Sequence, residues 1–131
     1  MNKPEINCLV SGQDTDGNIA IFEEVVPPGF GPPRHIHREQ DEVFHVMSGK
    51  FRFEVDGKVI EREAGGAAFV PAGAVHAFRN IGEEPGTIHF EMIPALNVEE
   101  GFQRLYDEEV PHMADFLNQY GMDLAGPPLE A

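Results

Sequence analysis

Cysteine is nearly absent. Cys8 stands alone among 131 residues, so no intrachain disulfide can close and no thiolate cluster can hold a metal. Basic residues are also scarce, with nine Lys and Arg against 23 Asp and Glu and a formal net charge of -14. Nucleic-acid binding requires clustered Lys and Arg to neutralise phosphates. Here they are scattered, so no nucleic-acid partner is expected. No apolar run approaches the roughly 20 residues of a membrane-spanning helix. The segment Met1-Asn2-Lys3-Pro4-Glu5-Ile6 has no apolar stretch of the kind found in a secretion signal. The expectation is a cytoplasmic protein with no membrane partner. Gly-x-Ser-x-Gly and His-Glu-x-x-His are both missing, which removes two common hydrolase patterns.

The chain is one domain's worth of sequence. Its apolar fraction of 41% is ordinary, and a domain of this size buries roughly two-thirds of its unfolded surface. From Cys8 to Pro94 the texture is short strands and turns. Ile19 to Val26 is β-rich and is entered through Asp16-Gly17. Phe51-Arg52-Phe53-Glu54-Val55 alternates apolar and polar with period two, which buries one face. Asp56-Gly57 then leads into Lys58-Val59-Ile60-Glu61, a strong hairpin signal because a type I′ turn needs positive φ at both central residues. Thr87 to Ile93 reads as a last strand. Evenly spaced strands of this kind predict an all-β sandwich or closed barrel. Asp14-Thr15-Asp16-Gly17-Asn18 has neither the sixth-position glycine nor the distal glutamate of a calcium loop, so a turn is expected there. Gly29-Phe30-Gly31 runs into two prolines rather than a helix, which excludes a dinucleotide loop.

After Pro94 the pattern changes. Asn97 and Glu100 resemble a capping box. Val98, Phe102, Leu105 and Tyr106 then share one helical face. Met113, Phe116, Leu117 and Tyr120 repeat the spacing, and Gly121 suits the residue after a helix end. Gly126-Pro127-Pro128-Leu129 reads as a helix stop. The expected organisation is a β-barrel over 1–96 and a helical extension over 97–131, packed on the barrel or on a partner subunit. The apolar stripes of the two helices make a homodimer the preferred arrangement.

Six histidines are present, and three bear on chemistry. In His35-Ile36-His37 two imidazoles project from the same face of a strand. Glu42 follows a charged turn that folds it back toward the pair. His76 opens the strand after the tight turn Pro71-Ala72-Gly73. Three imidazoles and a carboxylate suit a borderline divalent metal such as Fe, Mn, Ni, Co, Cu or Zn. In an octahedral site four such ligands leave two positions open, as a catalytic metal needs. His45, His89 and His112 are assigned to the surface, His45 because it alternates with Phe44 and Val46. Among the aromatics, Phe44, Phe53 and Phe78 are the candidate substrate-pocket residues, although most such rings are core. Phe78 lies two residues after His76 and so shares its face.

His-x-His alone has little specificity. The wider pattern is far more specific. Gly29-x5-His35-x-His37-x4-Glu42-x6-Gly49 resembles the first cupin motif at every defined position, and Gly65-x5-Pro71-x-Gly73-x2-His76-x3-Asn80 resembles the second. The 15 residues between them, Lys50 to Ala64, match compact microbial cupins. The resemblance covers about residues 19 to 95. Gly66 departs from it, standing where many relatives carry Asp. The C-terminal segment is similar to the tail of small cupins labelled quercetin-dioxygenase-like. The resemblance implies a double-stranded β-helix, or jelly-roll barrel, with one divalent transition metal in its lumen on His35, His37, Glu42 and His76. It also implies a metal-dependent dioxygenase acting on an enolisable or aromatic small molecule, with Glu42 as the base. The alternatives are a metal-dependent isomerase or cyclase, and a small-molecule-binding protein without turnover.

Overall fold

The computed structural model describes residues 1–107 and 110–131, and the side chains of all of these except Tyr106 and Asp107. Its strands, in chain order, are β1 (Glu5–Val10), β2 (Ala20–Val26), β3 (Pro33–His37), β4 (Asp41–Ser48), β5 (Lys50–Val55), β6 (Lys58–Glu63), β7 (Ala67–Val70), β8 (His76–Asn80), β9 (Gly86–Ile93) and β10 (Met122–Pro128). Helices α1 (Val98–Asp107) and α2 (Met113–Asn118) fall between β9 and β10. The strands form two five-stranded antiparallel sheets, ordered β1-β2-β9-β4-β7 and β10-β3-β8-β5-β6. This is the all-β, double-stranded β-helix architecture expected from the sequence.

Local signals explain most of the strands. The turn between β5 and β6 has positive φ at both Asp56 (48°) and Gly57 (82°), as a type I′ hairpin requires. β2 alternates buried and half-buried positions along its whole length. Phe44 and Val46 on β4 are buried, while His45 between them faces outward to pair with Glu91. Gly12–Thr15 forms a short 3-10 turn capped by Ser11, followed by left-handed Asp16 and Gly17.

The C-terminal segment departs from the sequence reading at its tail, and its helices take one of the two packings that reading allowed. First, the tail read as a helix stop is a strand. Residues 122–128 return to the barrel and pair with β3, placing Met122 opposite His37 and Leu124 opposite His35. β10 is an edge strand, so Pro127 and Pro128 cost no ladder bond on a sheet interior. Arginines pin the tail: Arg34 donates to the Pro127 carbonyl and Arg79 to that of Leu129. Second, the apolar stripes of the helices pack inside the chain itself. Phe102 meets Phe22 and Phe90 edge-on, with ring centroids 5.2 and 5.4 Å apart. Phe116 and Leu117 are buried. These stripes therefore no longer argue for a homodimer. Tyr106, placed on the same face by its spacing, lies outside the described side chains.

The capping residues are also used differently. Asn97 donates to the Gln119 carbonyl, and Glu100 accepts from the Tyr120 hydroxyl at 2.8 Å. Both side chains tie α1 to the end of α2. Gly121, at φ 75°, makes the left-handed exit from α2 expected of it.

Candidate metal centre

The four candidate ligands come from both sheets. His35 and His37 lie on β3 and His76 on β8, and His35 and His76 are directly paired across the two strands. Period-two geometry puts both β3 imidazoles on the lumen side, with ring centroids 5.1 Å apart. Gly73, at φ 85°, turns the chain into β8 and donates its N–H to the His37 carbonyl. Glu42 reaches across from the facing sheet, where it shares the buried side of β4 with Phe44 and Val46. One ligand atom from each of the four lies within 4.8 Å of all the others.

Two backbone carbonyls set the imidazole tautomers. His35 Nδ1 is 2.8 Å from the Pro33 carbonyl, and His76 Nδ1 is 3.0 Å from that of Ala74. Each therefore carries a proton on Nδ1; Nε2 of His35 is then a lone-pair donor, and Nε2 of His76, which faces the Glu42 carboxylate, becomes one when the proton shared with Glu42 is displaced. Glu42 Oε1 stands 3.0 Å from His76 Nε2 and 3.4 Å from His37 Nε2. Both ring nitrogens of His37 are buried without a hydrogen-bond partner among the described residues. Buried polar atoms are rarely orphaned, and a cation amid these donors would satisfy one of them. The donor set and its geometry suit one metal ion.

The electrostatics are strongly perturbed. Burial, together with the neighbouring His76 and His37, pushes the His35 imidazole down to about 3. Burial works against ionisation of Glu42, but the adjacent His37 and His76 imidazoles prevail and hold its carboxyl well below the usual range. Burial lowers His76 too, yet the Glu42 carboxylate outweighs it and the imidazole is raised. In the metal-free site the last proton thus belongs to the His76–Glu42 pair.

A pocket of roughly 290 Å³ opens over this cluster. Its walls include Phe44, Phe78, Phe90 and Phe102, with Leu105, Met113 and Leu117 from the helices. Of the aromatics singled out from the sequence, Phe44 and Phe78 line it. Phe53 does not: it is buried behind the wall, its centroid 5.2 Å from Phe44 and 6.3 Å from Phe78. Phe90, Phe102 and Glu24 are lining residues that the sequence reading missed. The alternation of β2 carried a signal for Glu24, since it shares a face with Phe22 and Val26. Gly31 also lines the pocket, and a Cβ there would fall 1.9 Å from the Phe78 carbonyl oxygen, so only glycine fits. His45 and His89 stay on the outer face, paired with Glu91 and Glu23. His112 is exposed.

A barrel of two such sheets with a three-histidine, one-carboxylate cluster in its lumen defines a class, and the family comparison agrees. The model of the cupin domain matches residues 22–92. The chain belongs to the cupin family. The polyketide synthase CurC of Streptomyces cyaneus is 26% identical over 96 residues, covering 73% of this chain and 61% of that protein. The quercetin 2,3-dioxygenase of Bacillus subtilis is 29% identical over 76 residues, covering 57% of this chain and 23% of that protein. The chain thus spans less than two-thirds of either relative. Among solved structures, a predicted oxalate decarboxylase from Thermotoga maritima superposes with a TM-score of 0.67 at 23% identity, over 70% of this chain and 80% of that one. That likeness is one of fold. Among the described residues no helix is long and apolar enough to cross a membrane.

Proposed function

We propose that this cupin is a metal-dependent dioxygenase acting on a small aromatic or enolisable molecule, with His35, His37, Glu42 and His76 holding one divalent transition metal. The observation that carries the reading is the placement of that cluster inside an aromatic pocket. Small-molecule sites are mostly apolar, with a few convergent polar groups. A metal bound there supplies a Lewis-acidic, redox-capable centre with positions left for substrate oxygens.

The protein's own groups do the rest. Phe44, Phe78, Phe90 and Phe102 exclude water and offer flat surfaces to an aromatic ring. Glu42 lines the pocket and stays ionised, which places a carboxylate beside an enol or phenol whose acidity a bound metal would raise. The likenesses to a quercetin dioxygenase and to a polyketide synthase support this substrate class.

Oxygen uptake is the deciding measurement. Protein loaded in turn with Fe, Mn, Co, Ni, Cu or Zn is screened against flavonols and 1,3-diketones with an oxygen electrode. The expected result is oxygen consumption that matches substrate loss with at least one redox-active metal and none with Zn. Turnover without oxygen uptake would instead mark an isomerase or cyclase. Binding with no turnover would mark a binding protein.

The pKa pattern sets the pH dependence of metal binding. A metal must displace any proton from its ligands. His35, at about 3, is already neutral from pH 5 upward and adds nothing to the slope. The His76–Glu42 pair holds its proton to above the ordinary histidine value of 6.5. Affinity should therefore fall as pH falls below that raised value, by about tenfold per unit for the one proton displaced from the pair. Titration calorimetry in buffers of different ionisation enthalpy counts the protons released. A release approaching three near neutral pH would contradict a neutral His35.

A further inference from the structure

Two of the four candidate ligands, His35 and His37, lie on one short strand, β3. Among the described residues, β3 pairs with β8 only at His35, opposite His76, whereas its pairing with β10 runs from Pro33 to His37. The strand that carries half of the site is therefore held chiefly by the returning tail. β10 contributes none of the four residues itself and stands at the edge of its sheet. Edges with exposed backbone hydrogen bonds are among the parts of a fold that open most readily.

One side chain fastens that edge. Arg34 precedes His35, so strand alternation points it outward while His35 faces the lumen. Its guanidinium donates from Nε and Nη2 to the two carboxylate oxygens of Glu54 on β5, at 2.8 and 3.0 Å. From Nη1 it donates to the Pro127 carbonyl on β10, at 2.8 Å. β8 lies between β3 and β5, so the side chain spans it. The β8 partner of Glu54 is Ala77, small enough to leave the way open. On the other side Gly126 stands opposite Arg34. A Cβ there would fall 3.3 Å from Arg34 Cδ, so the bare glycine makes room for the arginine stem. A planar fork of this kind fixes its partners in distance and in angle. Arg34 thus ties the ligand strand to β10 on one side and, past β8, to β5 on the other.

We propose that Arg34 is a positioning residue for the metal centre: by fastening β3 between β10 and β5 it sets the place of His35 and His37, so that docking of the tail and occupancy of the site are coupled. This rests on the metal reading above and adds a strap to it. The coupling is reciprocal, as any linkage of two equilibria must be. A metal held on β3 steadies β10, and a β10 that is unfastened loosens the hold on the metal.

The test uses cobalt(II), whose visible spectrum reports its coordination geometry. Cobalt affinity is measured by titration, and hydrogen exchange of the amides in 33–37 and 122–128 is followed with and without the metal. In the wild type cobalt should slow exchange in β10 as well as in β3, although β10 holds no ligand. Arg34→Ala should speed exchange in β10, weaken cobalt binding by about tenfold or more, the range for losing a ligand's support, and alter the cobalt spectrum. Arg34→Lys keeps the charge without the fork and should recover part of the affinity. Glu54→Gln weakens the fork from its other end and serves if the alanine variant misfolds; it should shift affinity in the same direction by less. Arg52→Ala is the control for a merely structural loss. It removes an ion pair with Glu61 and a hydrogen bond to the Glu130 carbonyl, from a strand without ligands, and should leave cobalt affinity and spectrum as in the wild type. Cobalt binding that leaves β10 exchange unchanged, or wild-type affinity and spectrum in Arg34→Ala, would overturn the strap and leave the metal reading standing. An equal loss of affinity in Arg52→Ala would also overturn the role of Arg34. No cobalt binding to the wild type would overturn the metal reading, and the coupling with it.

Discussion

Glu42→Gln is expected to keep metal bound and to lower turnover by a factor on the order of 10² or more, the usual cost of removing a general base. Glutamine has the same size and retains an oxygen at Oε1, which lies 3.0 Å from His76 Nε2. It cannot take a proton. The variant should therefore hold metal, more weakly because the anionic charge is gone, and should fail in the proton-transfer step. The measurement is turnover per bound metal, with metal content determined on the same sample. If lost activity instead tracks lost metal and returns when metal is added in excess, Glu42 is an anchor and not a base. Near-normal turnover in a fully metallated variant would send the proton to water or to another group.

His76→Ala should abolish most metal binding, with affinity falling well beyond the 10–100-fold typical of disturbing a ligand's supporting partner. His76 joins β8 to the cluster and is 1% exposed, so neither water nor a neighbour replaces it readily. The structure adds a stability cost. Removing the imidazole leaves the buried Glu42 carboxylate with His37 as its remaining partner, and breaking a buried pair from one side costs about 3 kcal/mol or more. The barrel should still fold, because the apolar core that includes Phe22, Phe51, Phe53 and Ile88 is left intact. His76→Gln is the control: it can keep a hydrogen bond to Glu42 without supplying an imidazole. Both variants should lose metal, and the alanine variant should melt at the lower temperature. Full occupancy with unchanged affinity in either would exclude His76 as a ligand.

How much of this was legible beforehand depends on the range of the interaction. His35 and His37 share a face because they lie two apart on a strand, and Asp56-Gly57 makes a hairpin because of its own φ preferences. Such features are written within a few residues. His76 and Glu42 could be attached to the histidine pair only through the two motifs that resemble cupins, since they sit on different strands and, for Glu42, on the other sheet.

By itself, the sequence determined an all-β barrel, its main hairpin, the outward face of His45 and the four residues of the candidate site, because strand alternation, turn chemistry and two long motifs are local patterns. Tertiary structure alone decided what the C-terminal segment does. An apolar helical stripe specifies that it will be covered, not by what. Here the stripe of α1 and α2 closes over the pocket of the candidate metal site, and the proline-rich tail becomes an edge strand beside His35 and His37. The same holds for the aromatics. Phe53 and Phe90 both point inward on alternating strands, and only the curvature of the two sheets puts Phe90 in the wall and Phe53 behind it. Burial follows from composition and period, but contact across the lumen depends on the whole barrel closing.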